Sequence, residues 1–319
     1  MQMIIFEEFG PPEVLRVREV PKPDPGRGEV LIDVAYASVT FVETQIRAGR
    51  GPFEVDLPRA PGNGVGGVIT AVGEDVDAAL LGTTVVSTTG GTGGYAEAVT
   101  VDADLVIPVP EDLPLDQAVA LLADGRTAAM LLELAPARPG DRVLVLAAGG
   151  GVGSLMVQLA ASSGATVVAA AGGKAELLYN LGAQVAVDYR AANWPAAVRD
   201  AVGEVDLVFD GVGGDLASEA FPLVARGGRV VSYGMASGDW ADIPEEAASR
   251  REIKLLRPGP LAVHEAKRLS ARALHLAAQG RLRAVIGQRF PLSAAAEAHR
   301  AIELRQTTGK TLLETRSAG

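Results

Sequence analysis

The stretch "VLVLAAGGGVGSLMVQLA", residues 143–160, runs from an unbroken apolar segment through four glycines into a second apolar segment. Val143, Leu144, Val145 and Leu146 have no polar residue among them, the pattern of a parallel strand covered on both faces. Ser154 to Ser163 is apolar nearly all round and Gly164 supplies a C-terminal stop, which reads as a buried helix. Between the two, Ala147, Gly150 and Gly153 recur at three-residue intervals. In a strand–turn–helix, small residues there permit a tight turn, approach of the backbone to a pyrophosphate, and close helix–strand packing. The N–H groups and dipole of the helix start favour the anion. Gly150, Gly151, Val152 and Gly153 are therefore candidate dinucleotide-binding residues, with a merely flexible turn as the plain alternative. No Lys-Ser/Thr pair follows the glycines, which argues against a nucleoside-triphosphate loop. The next strand also lacks the acid with which a methyltransferase holds a ribose.

A chain of 319 residues is comfortable for two domains, and 48% hydrophobic with 21% charged residues describes a globular protein with a large interior. The net charge of −10 argues against nucleic acid or an anionic membrane as partner. No cysteine is present, so neither a disulfide nor a thiolate-bound zinc can form. The N-terminal "MQMIIFEEFG" begins as a strand with two acids, unlike a signal peptide, and no apolar run reaches membrane-spanning length. A cytoplasmic protein is expected.

Roughly the first 120 residues read as short strands with turn signals: "VLRVREV", "EVLIDVAYASV", "GGVITAVG" and "TTVVST". An apolar helix through "DQAVALLADGRTAAMLLEL" then opens an alternation of strands and helices that ends at "GGRVVSYG". Such alternation implies right-handed crossovers and a doubly wound parallel sheet. After "IKLLRP" come a long helix and a strand–helix–strand tail. The arrangement suggests a first domain completed by the C-terminus.

The order of "FGPPEVL", "PKPDPGRGEVLI", "ASVTFVETQIRAG", "APGNGVGGVITAVG", "GGYAE", "AAGGGVGSLMVQLA", "LGAQVAVDYR", "DLVFDGVGG", "GGRVVSYG" and "TTGKTLL" resembles the zinc-independent quinone oxidoreductases of the medium-chain dehydrogenase/reductase superfamily, essentially end to end. The resemblance implies a GroES-like β-barrel domain, residues 1–122 and 262–319, and a Rossmann doubly wound α/β domain, residues 123–261, with the active site in the cleft between them. It also implies a homodimer. Zinc-dependent relatives need cysteine and histidine ligands. The histidines here are His264, His275 and His299, spread over two predicted helices, so no metal is expected.

An NAD-binding protein places an acid on the ribose about twenty residues past the glycine turn. Here "ATVVAAAGGKAE" puts Ala171, Gly172, Gly173 and Lys174 in that place. With no acid to repel it, a 2′-phosphate can sit on Gly172 and Gly173 and pair with Lys174; the alternative is an exposed lysine in a first helical turn. NADPH is the expected cofactor. By resemblance, Tyr189 lies along the adenosine phosphate, Thr127 touches the nicotinamide, and Gly234 and Met235 deliver backbone groups to the carboxamide. Gly211 and Val212 complete the family's cofactor positions.

Departures from the family gather at the expected substrate site. The usual asparagine is Thr40, the tyrosine that follows is Gln45, and Asn63, Gly64, Asp124 and Arg126 also differ, which suggests a specialised substrate. Hydride transfer needs no nucleophile; the protein supplies orientation and stabilises the developing enolate. Thr40 and Gln45 are candidate donors to a substrate carbonyl. Asp124 or a water is the candidate proton source, unless Asp124 serves a helix start or a salt bridge with Arg126. The expected activity is NADPH-dependent reduction of a quinone, enone or enoyl intermediate. The alternatives are a reductive cyclase or ketone reductase of a biosynthetic pathway, or a non-catalytic NADPH-binding protein.

Overall fold

The computed structural model describes residues 1–51 and 54–315. It forms two compact units, Met1–Arg126 with Ser270–Gly319, and Thr127–Leu269. The cuts fall inside the helices Leu115–Leu134 and Val263–Ala278. The seams that the resemblance implies, 122/123 and 261/262, lie in or beside the same helices.

In the second unit six parallel strands stand in the order Val185–Asp188, Thr166–Ala171, Arg142–Leu146, Val205–Asp210, Val224–Ser232, Lys254–Leu256. Leu144 pairs with Val168 on one side and Val208 on the other. These residues are fully buried because crossover helices cover both faces. Strand order reverses between Arg142–Leu146 and Val205–Asp210, the point where a doubly wound sheet opens a crevice for ligands at its carboxyl ends. Helix Gly151–Ser162 follows the first of these strands, and Gly164 takes a φ of 79° just beyond its end.

In the first unit a seven-stranded sheet runs Ile286–Pro291, Lys310–Glu314, Glu29–Val39, Gly64–Val72, Thr84–Thr88, Ile107–Pro108, and Ala98–Asp102 also pairs with Glu29–Val39. The C-terminal strand lies antiparallel to the long early strand, with Thr311 opposite Val39 and Leu313 opposite Ala37. The tail thereby completes the unit. One element differs from the all-strand expectation: Phe41–Arg47 is a helix. The signal was the spacing Thr40-x-x-Glu43. The Glu43 carboxylate turns back to accept the Thr40 N–H at 2.6 Å, which closes the helix start.

Candidate functional site

The glycine turn of the second unit is tight for a stated reason. Ala147 holds a φ of 54°, and a Cβ on Gly153 would stand 2.2 Å from the Ala147 carbonyl oxygen. Glycine alone allows the helix to start this close to the strand. Gly150 caps it in extended conformation and donates to Ala147 O at 2.9 Å. No side chain caps the helix, so the first-turn N–H groups of Gly151, Val152 and Gly153 lack an intrahelical acceptor. Together they form an anion-binding concavity.

Lys174 is not the exposed first-turn lysine of the plain alternative. It is the N-cap of helix Ala175–Asn180, in the left-handed region at φ 71°, and its side chain folds back over the turn. Lys174 Cδ is 2.9 Å and Nζ 3.6 Å from where a Cβ on Gly149 would be. The side chain of any residue larger than glycine at 149 would displace it. Tyr189 and Arg190 close the other side: Tyr189 Cε2 is 3.8 Å and Arg190 Nε 3.5 Å from the Cβ position of Gly172, and Arg190 Nη2 is 3.2 Å from that of Gly173. Asp188 grips the guanidinium with both carboxylate oxygens, Nε–Oδ1 2.9 Å and Nη2–Oδ2 2.6 Å. This bidentate bond holds the Asp188 pKa down at about 2. Burial, and then the charge of Arg190, push the Lys174 ammonium below its usual range. Two cations facing two glycines are stabilised by an added anion. Sequence reading missed Arg190, whose role rests on a carboxylate two residues away.

At the far end of the same sheet edge, Gly211 and Gly234 approach closely. A Cβ on Gly234 would lie 2.6 Å from Gly211 O, and one on Gly211 would lie 2.7 Å from the Tyr233 hydroxyl. The buried Asp210 holds this corner, its Oδ1 accepting from Val212 N–H at 2.9 Å and Gly213 N–H at 2.8 Å. Burial raises the Asp210 pKa against those two bonds. Val212 is buried, whereas Met235 and Thr127, the first residue of this unit, are partly exposed.

Within the first unit, Thr40 and Gln45 fall at the start and on the second turn of one helix, and Thr40 Oγ1 is buried in the capping box it makes with Glu43. Gln45 Nε2 donates to Thr44 Oγ1 at 3.2 Å. Asn63 joins Thr40 through Glu43, which accepts the Asn63 N–H at 2.9 Å. Gly64 packs against Ser38, since a Cβ there would stand 2.6 Å from Ser38 Oγ. Asp124 lies within the helix Leu115–Leu134 rather than at its start. Its ion pair is with Lys310, Nζ–Oδ1 3.0 Å, and not with Arg126; side-chain exposures of 14% and 4% make this a buried pair. The partner comes from 186 residues away, beyond local pattern. His264 and His275 share the helix Val263–Ala278 and His299 lies in Ala295–Glu303. Among the described residues no cluster of three or more His, Cys, Asp or Glu is placed to hold a metal.

Family models match residues 26–111 as an alcohol dehydrogenase GroES-like domain and residues 181–313 as a zinc-binding dehydrogenase. A probable quinone oxidoreductase of Schizosaccharomyces pombe is 37% identical, covering 98% of this chain and 96% of its own. The human quinone oxidoreductase is 33% identical over 98% and 97% of the two chains. The chain belongs to the quinone oxidoreductase family. Within the medium-chain dehydrogenase/reductase superfamily, solved structures agree on the fold. The Escherichia coli quinone oxidoreductase complexed with NADPH aligns with a TM-score of 0.90 at 27% identity, covering 98% of this chain and all 100% of that one. A structure described as an NAD-dependent alcohol dehydrogenase aligns with a TM-score of 0.91 at 30% identity, covering 99% and 100%. Among the described residues no helix is long and apolar enough to cross a membrane.

Proposed function

We propose that the protein is an NADPH-dependent, metal-independent oxidoreductase that reduces the activated C=C bond of a quinone or other α,β-unsaturated carbonyl compound. The observation that carries the cofactor reading is the pair of cations, Lys174 and Arg190, facing Gly172 and Gly173 where an NAD-binding protein has an acid. These residues and Tyr189 suit a 2′-phosphate, and the first turn at Gly150–Gly153 suits the pyrophosphate. Thr127, Gly211, Val212, Gly234 and Met235 are assigned to the nicotinamide end by family resemblance. Bound NADPH supplies a hydride for the β-carbon of the substrate.

The protein's own part is to stabilise the charge that develops on the carbonyl oxygen. Thr40 Oγ1, buried at the helix start, is the donor we assign, with Gln45 as the second. Asp124, ion-paired with Lys310, is the proposed relay for a proton supplied by water. The absence of cysteine and the separation of the histidines support a metal-free site. A homodimer through the edge strand Lys254–Leu256 is part of the same reading, and light scattering that returns a monomer mass would exclude it. The deciding experiment uses NADPH deuterated at the transferable C4 position with a benzoquinone and cyclohexenone. Deuterium is expected on the β-carbon of the reduced enone. Deuterium on the carbonyl carbon, with an alcohol as product, makes the protein a ketone reductase and overturns the proposal.

A further inference from the structure

Glu43 is 5% exposed, and the Tyr95 and His299 that follow it are fully buried. Tyr95 Oη is 3.1 Å from Glu43 Oε2 and 3.1 Å from His299 Nε2, with the two rings edge to face at 5.8 Å. The hydroxyl has one proton for two neighbours, so the chain must run in one direction. His299 Nδ1 settles which. It is buried and has no hydrogen-bond partner, so a proton there would be an orphaned donor, whereas a bare lone pair costs less. The proton of a neutral imidazole therefore sits on Nε2 and points at Tyr95 Oη. Tyr95 in turn donates to Glu43. Burial, and then the charge of Arg47, push the His299 pKa down to about 3 and keep the ring neutral.

Glu43 then accepts from three donors, the N–H groups of Thr40 and Asn63 and the Tyr95 hydroxyl. All three bonds favour the charged carboxylate over the neutral acid. Resting on the assignment of Thr40 as a substrate contact, we infer that Glu43 is a positioning residue whose ionised form, oriented by Tyr95 and His299, holds Thr40 and Asn63 in the geometry that reduction requires. Two opposing effects act on it. Burial dominates and raises its pKa, against the bonds from Thr40, the charge of Lys310 and the bond from Tyr95. The other charged groups packed around this chain are already committed. Arg47, on the same helix, bonds to Gly10 O and pairs with Glu303, and Arg300 pairs with Glu13. Asp124 pairs with Lys310.

The test is the pH profile of kcat/KM for NADPH-dependent reduction of a benzoquinone, which reports ionisations of the free enzyme. Wild type should lose activity about tenfold per pH unit on an acid limb set by Glu43. Tyr95→Phe removes a bond to the charged form, so the limb should move to higher pH with NADPH affinity unchanged. His299→Leu, which leaves Tyr95 Oη without its donor, should move it the same way. His299→Gln, which can still donate to Tyr95, should restore the wild-type profile. Glu43→Gln should abolish the limb. Variants that lose thermal stability but keep the wild-type limb overturn the inference and leave Glu43 a structural residue only. If wild type turns over neither quinone nor enone, the functional reading fails, and the ionisation is read from the thermal midpoint instead. A carboxyl whose folded pKa exceeds its unfolded one lowers stability as pH rises from the unfolded to the folded value. That decline should extend to higher pH in Tyr95→Phe than in wild type or His299→Gln; identical profiles in all three overturn the inference.

Discussion

In the turn from Ala147 to Gly153 the chain presents main-chain N–H groups, and side chains are missing because a methyl on Gly153 would stand 2.2 Å from Ala147 O. In the corner formed by Thr40 and Asn63 the main-chain N–H groups are already taken by the Glu43 carboxylate, and what remains to present is a buried side-chain hydroxyl. The first arrangement suits the pyrophosphate that we propose it holds and is made of neighbours in sequence. The second draws on residues 43, 63, 95 and 299, and a change in any of them alters the shape presented by Thr40. The comparison teaches that cofactor binding should fail through the backbone and substrate turnover through side-chain networks.

The sharpest way to break that contrast is Gly153→Val. The added atoms meet the Ala147 carbonyl itself, which has no freedom to yield, so NADPH affinity should fall by about a hundredfold or more by calorimetry. Retention of tight binding would mean that the turn does not hold the cofactor. Lys174→Ala should come next. A charge-assisted bond contributes roughly 1.5–3 kcal/mol, so NADPH binding should weaken about 10- to 150-fold while NADH binding hardly changes. Equal losses for both cofactors would remove Lys174 from the 2′-phosphate.

Thr40→Val should lower turnover by about tenfold while leaving NADPH affinity in place. A buried catalytic donor can be worth 2.7–4 kcal/mol, roughly a hundredfold or more, but water can substitute in part for a hydroxyl near solvent. A larger effect on cofactor binding than on turnover would contradict the division between the two regions. Arg190→Ala should have a small effect, about three- to tenfold on NADPH alone, since the guanidinium is 66% exposed and already shared with Asp188. The smallest effect is expected from chelation: treatment with a metal chelator should leave activity unchanged, and stoichiometric zinc whose removal stops turnover would overturn the metal-free site.

The six-stranded parallel sheet was legible because its strands are continuous apolar runs between glycine and helix signals, and burial on both faces writes that pattern locally. The glycine turn was legible for a similar reason: Gly153 is required by its contact with Ala147, close by in the chain. Sequence also supplied Lys174, next to Gly173 in the chain, whereas Tyr189 came from the resemblance and reaches Gly172 through the pairing of Asp188 with Ala171. Tertiary structure decided what depends on partners far along the chain. Local reading gave Asp124 the partner Arg126 or a helix start, and the fold gave it Lys310. The helix Phe41–Arg47 lay in a region read as short strands and turns, and Glu43 became a hub only when Asn63, Tyr95 and His299 closed around it. A backbone turn is specified by the sterics of adjacent residues, whereas a buried polar network is specified by which distant donors happen to meet an acceptor where water cannot follow.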